Sequence, residues 1–567
     1  MQTIPAHTPI AQAAQHLTQS GQDYLVVTDT AEVQASTILG IITSRDLKLA
    51  QQYGFSDAPV AQHLRRNVAT VAPTTPHAEL RHHLNQENIE YFIVVEAQQP
   101  VEVLTRFQLL QPTTADFPDP QTQLQPATWQ LLEQLAAAAE ARGWQLYMVG
   151  GVVRDLWLAA HSDRQFQFKD IDLVVEGADA AEAQAGVELA KTIQEQYPDA
   201  KLTTHGAFQT AALTWDNDPE LGNLGDNLGV DIATARTEHY AYPAANPTVE
   251  ASSIQQDLYR RDFTINAMAL GLTAPHKGQV LDFFGGVPDL RSRRIRILHP
   301  NSFIEDPTRI FRAVRFATRL GFSLDLHSEA SVNYAIASGI YARSLAQHPK
   351  APALTTRLKA ELQTVLQVPY SQPALKLLTH LKAWHCLYPD LQLTSKQRQQ
   401  LHQLKRGLYR FDPDASLNSW QLALQLILVQ LPSAPAAQVA RNLQLPDAVV
   451  EQVGQFGQIA AEIASHLRTD NPPSAIAAQL KLHPLPVLVL LLTQLPRYQR
   501  RWLWRYLSQW SRMQPPLNGH DLAQLGYPRG PQYRVMLNDL LNATLDGNIK
   551  NREEAMAYLA AVHPLRK

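Results

Sequence analysis

The chain has 567 residues, which is too long for one hydrophobic core, so three or more domains are expected. It carries 49 lysine and arginine residues against 52 aspartate and glutamate residues, and the resulting net charge of −3 means that nucleic-acid binding must depend on local basic patches. The single cysteine, Cys386, excludes an intrachain disulfide framework and a multi-cysteine zinc site. No secretory signal is visible and the apolar runs are too short to cross a bilayer, so we expect a cytoplasmic protein with no membrane partner.

Residues 1–112 contain two copies of one alternating pattern. In each copy two apolar strand segments precede a threonine that caps a helix, Thr43 in the first copy and Thr105 in the second. The strand segments are 24–27, 38–42, 91–95 and 101–104. This repeat resembles a tandem CBS pair, an α/β module that often binds adenosine nucleotides between its halves. The resemblance implies that Thr43 and Asp46 hold a ligand ribose, whereas Gln108 replaces the acid in the second copy. A packing or homodimerisation module without a ligand is the alternative.

Residues 113–126 are rich in proline and lack apolar periodicity, which predicts a linker. An alanine- and leucine-rich helix over 129–141 is predicted to follow and to lead into the central strand of a head that spans residues 127–300.

The stretch from Tyr147 to Gly177 has the pattern expected of a nucleoside-triphosphate site. An apolar strand runs into Gly150 and Gly151, where the absence of side chains lets backbone N–H groups approach phosphate oxygens. The positive end of the following helix points to the same place, and Arg154 in its first turn is placed to grip a triphosphate.

A pair of carboxylates follows on the next strand. Asp170 and Asp172 are two residues apart, so they project to one face while Ile171 and Leu173 project into the core. Two carboxylates beside a phosphate cradle suit hard divalent ions. A Gly-Gly turn alone, or an Asp-x-Asp strand alone, is more often structural than functional. The prediction depends on the occurrence of both in one strand–turn–helix–strand unit.

This unit resembles the signature of the class II nucleotidyltransferases, the family of CCA-adding tRNA enzymes and bacterial poly(A) polymerases in the polymerase-beta-like superfamily. The resemblance implies an α+β head with a third carboxylate, Asp231, followed by the turn TARTE at 234–238. Asp170, Asp172 and Asp231 are then the catalytic carboxylates, holding two Mg²⁺ ions that acidify the attacking hydroxyl and brace the triphosphate. Residues 236–257 show little periodicity and are predicted to form a mobile loop.

The segment RRDFTINA at 260–267 also resembles this family. The resemblance implies that Arg261 binds phosphate and that Asp262 accepts hydrogen bonds from the ribose hydroxyls. It also implies that Asn266 belongs to the same nucleotide site.

The segment EDPTRIFR at 305–312 is the next match. The resemblance implies that Asp306 and Arg309 read the edge of the base, that Glu305 orients the arginine, and that Arg312 lies in the same site. Asp306 before Pro307 is also what a helix start requires, so capping and base reading compete for this carboxylate.

The remaining pattern is largely helical. Gly285 and Gly286 lie in a segment that resembles the family's hinge. Glycine can take the large backbone changes that a hinge needs. An all-α neck is expected over 301–385 and an all-α body and tail that bind tRNA over 386–567, with buried helices at 420–431 and 485–495. The arginine- and tryptophan-rich stretch 497–512 is interpreted as a solvated face over packed aromatic rings, with an RNA-backbone surface as the alternative.

These resemblances imply a template-independent nucleotidyltransferase that adds CMP, AMP or both to the tRNA 3′ end. The RNA 3′ hydroxyl would attack the alpha-phosphate of CTP or ATP, and pyrophosphate would leave. Two alternatives stay open: a poly(A) polymerase and a non-catalytic RNA-binding adenylate sensor. The sequence HGAF at 205–208, uncharged apart from its histidine, and the absence of an arginine-rich tail favour tRNA over poly(A). The complete carboxylate set argues against the sensor, and the near full-length loop at 236–257 leans toward A addition or complete CCA addition.

Overall fold

The structure is a computed structural model of the chain. It describes residues 1–30, 35–109, 117–161, 170–177, 184–205, 208–215, 228–367, 371–389 and 391–565. The chain forms two compact units, Met1–Leu358 with His380–Cys386 and Lys359–Thr379 with Leu387–Lys567. The domain boundaries predicted at residues 112, 126, 300 and 385 stay predictions.

The N-terminal part of the first unit repeats one β-α-β-β-α pattern. Its elements are β1 (Thr3–Pro5), α1 (Ile10–Ser20), β2 (Tyr24–Thr28), β3 (Ile38–Thr43), α2 (Ser44–Gln52), β4 (Val68–Val71), α3 (His77–Gln86), β5 (Tyr91–Glu96), β6 (Gln99–Thr105) and α4 (Arg106–Leu109). In each copy the first two strands pair in parallel, and the third strand pairs antiparallel with the second across a bulge. Val26 and Ile41 of the first sheet pack with Ile93 and Val103 of the second. The predicted internal repeat is therefore confirmed.

The described part of the predicted linker contains a short helix. Helix α5 (Pro120–Gln123) begins after Asp119, whose side chain accepts a hydrogen bond from the Gln121 N–H group at 3.0 Å. Helix α6 (Pro126–Glu140) starts three residues earlier than predicted, because the fixed φ of Pro126 suits the first helical position. Residues 113–116 of the linker lie outside the described residues.

The head is built on a mixed sheet. Its strands are β7 (Gln145–Val149), β8 (Asp170–Glu176), β9 (Lys201–His205), β10 (Thr210–Trp215), β11 (Leu228–Thr234), β14 (Ala269–Gly271) and β15 (Val280–Leu281). Among the described residues these strands lie in the order β15-β14-β7-β8-β11-β10-β9, with β8 and β11 parallel at the centre. Helices α7 (Gly151–Ala160) and α8 (Ala185–Gln196) connect the strands. Residues 178–183, between β8 and α8, lie outside the described residues.

The prediction of a mobile loop over 236–257 is wrong. This segment forms the antiparallel hairpin of β12 (Arg236–Tyr240) and β13 (Pro247–Ala251), followed by helix α9 (Ile254–Tyr259). The strands are short and mostly polar, so no apolar period reveals them in the sequence. Ile254 and Leu258 of α9 pack with Val174 of β8, which lies on the same strand face as Asp172. The hairpin and α9 therefore bring the following arginines to the face that carries the carboxylates.

The rest of the first unit is mainly helical. Its elements are α10 (Gly286–Ser292), β16 (Arg294–Ile295), α11 (Ser302–Glu305), α12 (Thr308–Leu320), β17 (Ser323–Leu324), α13 (Leu326–Ala337), α14 (Ile340–Gln347) and a π-helical turn (Ala353–Arg357).

The described elements of the second unit are helical. They are α15 (Leu358–Gln367), α16 (Ser371–His380), α17 (Ser395–Phe411), α18 (Ser419–Leu428), α19 (Ser433–Asn442), α20 (Asp447–His466), α21 (Pro473–Leu480), α22 (Leu485–Gln494), α23 (Arg497–Ser508), α24 (Gly519–Gln524), α25 (Gln532–Leu545) and α26 (Arg552–Val562). The predicted buried helices correspond to α18 and α22. In the described ranges no single helix is long and apolar enough to cross a membrane, while α21 and α22, bent by 120°, pass that test only as a pair.

Candidate active site

The site begins where β7 turns into α7. Gly150 joins them with a φ of 76°, in the region that favours glycine. A Cβ atom here would lie 2.8 Å from Arg261 Nη1 and 3.3 Å from Asp172 Oδ2. At Gly151 the nearest atom to a Cβ would be Arg154 Nη2 at 3.5 Å, an ordinary contact. Gly150 is therefore the glycine that the close approach of Asp172 and Arg261 requires.

Three carboxylates share the face of the sheet beside Gly150. The parallel register pairs Asp172 with Asp231, and Asp170 lies two residues before Asp172, so all three project to the same side. Burial raises the pKa of Asp172, which Arg261 opposes and Asp170 reinforces. Burial also raises the pKa of Asp231, and the charges of Asp172 and Asp170 add to the rise. The face therefore concentrates negative charge.

This face fits a divalent metal ion in its donor chemistry. Carboxylate oxygens are the hard ligands that such ions prefer, and within the described ranges none of the three accepts a hydrogen bond or forms an ion pair. In the same ranges no group of three or more acidic, histidine or cysteine side chains is gathered around one point to hold a metal. The backbone thus aligns the three donors on one face, and a bound ion would have to bring their oxygens closer together.

Asp257 positions the two arginines that follow α9. It is fully buried, and its carboxylate accepts hydrogen bonds from Arg260 Nη2 at 2.7 Å and from Arg261 Nη2 at 3.0 Å. Glu238 of the hairpin accepts a further bond from Arg260 Nη1 at 2.5 Å. The sequence motifs gave Asp257 no role, although its spacing of three and four residues from the arginines is the signal that would have revealed it.

Asp262 lies in a closed polar network. Its carboxylate accepts hydrogen bonds from Arg312 Nε at 2.8 Å, Asn266 Nδ2 at 2.9 Å and the Phe263 N–H group at 2.8 Å. Burial alone would raise the pKa of Asp262, but Arg312 and Asn266 lower it to about 2. The structure thus brings Asp262, Asn266 and Arg312 together as predicted and keeps the carboxylate ionised.

Arg154 lies beside the Gly151 turn, where its guanidinium is bonded to protein groups. Its guanidinium is buried, donating to Asp155 Oδ1 at 2.7 Å, Asp155 Oδ2 at 2.9 Å and Asn266 Oδ1 at 2.6 Å. Phosphate binding by Arg154 would require an exchange of these partners. Arg261 Nη1 is the guanidinium atom nearest to the Cβ position of Gly150, so the geometry favours Arg261 as the cation of the cradle.

Asp306 caps the helix that carries Arg309. Helix α12 begins at Thr308, one residue later than predicted, and Asp306 Oδ1 accepts hydrogen bonds from the Thr308 N–H group at 2.8 Å and the Thr308 hydroxyl at 2.6 Å. Its other oxygen accepts a bond from Arg357 Nη1 at 2.8 Å. No local spacing in the sequence links Arg357 to Asp306, because the two residues lie 51 positions apart along the chain.

Arg309 is also engaged on several sides. It is buried, with Nη1 2.7 Å from the Ser302 hydroxyl and 3.5 Å from Glu305 Oε2, and with Nη2 3.0 Å from the Arg260 carbonyl oxygen. The predicted pairing of Glu305 with Arg309 is present. Asp306 and Arg309 therefore lie in one region of the neck, but their polar atoms are bonded to protein partners.

A side chain of the N-terminal repeat holds the predicted hinge. Asn88 Nδ2 donates to the Gly285 carbonyl oxygen at 3.3 Å and to Asp289 Oδ2 at 2.5 Å. A Cβ at Gly285 would lie 2.9 Å from Asn88 Oδ1, so the two segments pack closely.

Thr43 and Asp46 form a buried capping box at the start of α2. The Thr43 hydroxyl donates to Asp46 Oδ2 at 2.7 Å, and Arg65 binds the same carboxylate through Nε at 2.8 Å and Nη2 at 3.0 Å. The corresponding box of the second copy, Thr105 with Gln108, is exposed. Both oxygens of the Asp46 carboxylate already have protein partners, which a ligand would have to replace. Ligand binding by Thr43 and Asp46 stays a prediction.

Two regions of the chain match known families. Residues 146–296 match the Poly A polymerase head domain, and residues 1–53 match the CBS domain. The first range holds the Gly150 turn, the three carboxylates and the Arg261–Asp262 pair. Fold and site together define a nucleotidyltransferase head joined to a CBS module, a type of head that is generally dependent on divalent metal ions.

Similar proteins narrow the class. The A-adding tRNA nucleotidyltransferase of Geobacter sulfurreducens is 29% identical over 98% of this chain, which spans only 62% of that relative's length. The CC-adding tRNA nucleotidyltransferase of Deinococcus radiodurans is 34% identical, over 57% of this chain and 76% of the relative's own length. The solved structure of the Thermotoga maritima CCA-adding enzyme complexed with tRNA(CCA) has a TM-score of 0.60 and 27% identity, covering 77% of this chain and 96% of that one. The chain belongs to the tRNA nucleotidyltransferase family.

Proposed function

We propose that this chain transfers CMP, AMP or both from CTP or ATP to the 3′ end of tRNA. The observation that carries the proposal is the convergence of Asp172, Arg261 and the glycine-only turn at Gly150, with Asp231 paired to Asp172 across the strands. An anionic triphosphate needs both a cationic group and a backbone that can approach it closely, and this corner of the head offers both.

The roles proposed for the triphosphate side follow from charge. Asp170, Asp172 and Asp231 would hold two Mg²⁺ ions, which when bound supply the positive charge that balances the carboxylates and the triphosphate. Arg261, fixed by Asp257, offers its Nη1 atom beside Gly150 and would contact phosphate. The RNA 3′ hydroxyl would attack the alpha-phosphate on this face, and pyrophosphate would leave.

The roles proposed for the ribose and base side follow from hydrogen bonding. Asp262 stays ionised and would accept hydrogen bonds from ribose hydroxyls, with Asn266 and Arg312 fixing its position. Asp306 and Arg309 would present an acceptor and donors to the base edge. Because both are bonded to protein groups, the incoming base would have to replace some of those bonds, such as that between Arg357 and Asp306.

The second unit offers a surface suited to RNA, which supports the alternative interpretation of the arginine- and tryptophan-rich stretch. Helices α17 and α23 pack together through Phe411 and Trp504, whose ring centroids are 4.8 Å apart. Tyr409, Tyr498 and Trp504 are exposed on these helices among several arginines. Exposed aromatic rings with guanidinium groups bind phosphates and stack on bases. We therefore propose that the exposed side chains of these two helices contact tRNA.

The test is incorporation of labelled CTP and ATP, singly and together with magnesium, into tRNA transcripts that end before CCA, after C and after CC. Labelling of all three to an intact CCA end marks a complete enzyme. Use of ATP on the CC-ending transcript alone marks an A-adding enzyme, and addition that stops at CC marks a CC-adding enzyme. An unrelated RNA with a free 3′ hydroxyl is the control.

Two outcomes would contradict the proposal. Long A tracts on the unrelated RNA would identify a poly(A) polymerase. No incorporation on any transcript, with RNA and adenylate binding intact, would identify the non-catalytic sensor.

A further inference from the structure

The CBS-like pair, residues 1–109, contacts the head at helix α9. One side of this six-residue helix packs on the sheet through its apolar residues. Its other side meets the CBS-like pair through Gln256 and Tyr259. Tyr259 is the last residue of α9, and Arg261 lies two positions beyond it. The CBS-like pair therefore contacts the end of α9 from which the cation of the cradle follows.

Helix α2 of the CBS-like pair supplies the first contact. The Arg45 guanidinium lies 4.4 Å from the centroid of the Tyr259 ring, and its Nη1 atom donates to Gln256 Oε1 at 3.3 Å. A guanidinium and the face of an aromatic ring attract each other electrostatically. At the other end of α2, Gln52 Nε2 donates to the Tyr240 carbonyl oxygen of the hairpin at 2.6 Å. Helix α2 is therefore bonded to both α9 and the hairpin.

Arg65 supplies the second contact, to the hydroxyl of the same ring. Its buried guanidinium is bound by Asp46, at 2.8 Å and 3.0 Å, and by Glu90 at 2.7 Å. Its Nη2 atom also donates to the Tyr259 hydroxyl. Burial, opposed by Arg65, raises the pKa of Tyr259 to about 12, so the hydroxyl is neutral at neutral pH. Two carboxylates thus fix Arg65, and Arg65 holds Tyr259.

The position of α9 in turn sets the position of Arg261. Asp257 lies in α9 and accepts a hydrogen bond from Arg261 Nη2 at 3.0 Å, while Arg261 Nη1 lies beside Gly150. At the start of α9, a backbone N–H group donates to Glu176 Oε2 at 3.2 Å. The head thus holds the start of the helix, and Tyr259 connects its end to the CBS-like pair. Loss of that connection would let the end of α9 move relative to the cradle.

We propose that Arg45 and Arg65 are positioning residues, which act through Tyr259 to fix the Arg261 guanidinium where the triphosphate binds. This inference rests on the proposed function, in which Arg261 contacts phosphate. Because the triphosphate is common to CTP and ATP, the contribution of the two residues should be the same for both nucleotides. It should appear as weaker binding of phosphate and not as an altered choice of base.

The test is calorimetric titration of the full chain with inorganic tripolyphosphate in the presence of magnesium. This probe has no ribose or base, so it reports on the phosphate side of the site alone. We expect R261Q to weaken its binding about tenfold or more. R45Q removes the charge over the Tyr259 ring, and Y259F removes the hydroxyl that Arg65 binds. Each should weaken binding about threefold or more.

Three further variants separate positioning from a general effect on the fold. R45K keeps a positive charge over the ring and should bind tripolyphosphate more tightly than R45Q. K48Q, at an exposed position of the same helix, should bind as the native chain does. In the R261Q background R45Q should have no further effect, because Arg45 acts through Arg261. In the incorporation assay, R45Q should raise the KM values for CTP and ATP by the same factor, with little change in kcat.

The outcomes distinguish this inference from the proposed function. If R261Q binds tripolyphosphate as tightly as the native chain, Arg261 does not contact phosphate, and both the proposed role of Arg261 and this inference are wrong. If R261Q weakens binding but R45Q and Y259F do not, the positioning role is overturned while the proposed function stands. An effect of R45Q that persists in the R261Q background would overturn the positioning role as well. Circular dichroism and thermal unfolding establish that each variant is folded.

Discussion

The two halves of the candidate site differ in how their charges are balanced. On the strand face, Asp170, Asp172 and Asp231 lie side by side and, in the described part of the chain, make no hydrogen bond or ion pair. On the other side, Asp262 and Arg309 are buried, and each is bonded to several protein groups. In the half proposed to bind metal and triphosphate, the three strand carboxylates therefore lack protein partners among the described residues. In the half proposed to bind ribose and base, the protein itself supplies such partners.

This difference has a physical reason. Uncompensated carboxylates cost free energy in the empty protein but give strong sites for divalent ions. Polar atoms that read a base must be held in a fixed geometry, and buried bonds to neighbouring groups supply that geometry. Substitutions in the two halves should therefore have different consequences.

Removal of a strand carboxylate should have the largest effect. We expect Asp172→Asn or Asp231→Asn to lower nucleotide incorporation at least about a thousandfold, which corresponds to about 4 kcal/mol of transition-state stabilisation. The measurement is single-turnover incorporation on a CC-ending transcript. Asp199→Asn, an exposed aspartate of the same head, is the matched control and should keep native activity. Activity within tenfold of native in Asp172→Asn would refute the proposed role of the strand face.

The two glycines of the turn should differ sharply. Gly150→Ala places a Cβ 2.8 Å from Arg261 Nη1 at a φ of 76°, so we expect about a hundredfold loss of activity and about 1–2 kcal/mol of destabilisation. Gly151→Ala meets Arg154 Nη2 only at 3.5 Å and should be nearly neutral. Incorporation rates and denaturant unfolding measure both effects. Equal losses in the two variants would show that the close approach at Gly150 is not what matters.

The side of the site proposed to bind ribose and base should affect the choice between CTP and ATP more than the rate of incorporation. A lysine at position 309 cannot bond Ser302 and the Arg260 carbonyl oxygen together as the guanidinium does. We expect Arg309→Lys to reduce discrimination between CTP and ATP about tenfold, measured as the ratio of kcat/KM values on one transcript. Arg319→Lys, at an exposed position of the same helix, is the control. An unchanged ratio would argue against base reading by Arg309.

Acidification should act on the strand face first. The pKa values of Asp172 and Asp231 are raised, so these carboxylates take up protons at a pH above the ordinary aspartate range of about 4, and metal binding weakens there. Asp262, with a pKa of about 2, stays ionised in that range. Incorporation at limiting magnesium should therefore fall as the pH drops toward that range, and added magnesium should restore it. If added magnesium does not reverse the loss of incorporation, a group other than Asp172 and Asp231 causes that loss.

Local spacing made part of this site predictable. The strand carrying Asp170 and Asp172, the Gly150 turn and the Asp306 cap all follow from patterns within a few residues. Contacts between distant segments left no such pattern. The bond from Arg357 to Asp306 and the contact of Asn88 with Gly285 join residues 51 and 197 positions apart, and the hairpin over 236–251 is too polar to show a period. The burial of Arg154 likewise depends on Asn266, which lies 112 positions away.

The most direct test of the uncompensated strand face is the thermal unfolding midpoint at neutral pH with and without magnesium. A raised pKa in the folded state means that the ionised Asp172 and Asp231 cost stability above the unfolded pKa, and that the cost disappears as the pH falls. Without magnesium, the double variant Asp172→Asn with Asp231→Asn should therefore unfold at a higher temperature than the native chain. Magnesium should raise the native midpoint and leave that of the variant unchanged. A native chain that is more stable than the variant without magnesium, and indifferent to it, would contradict the account.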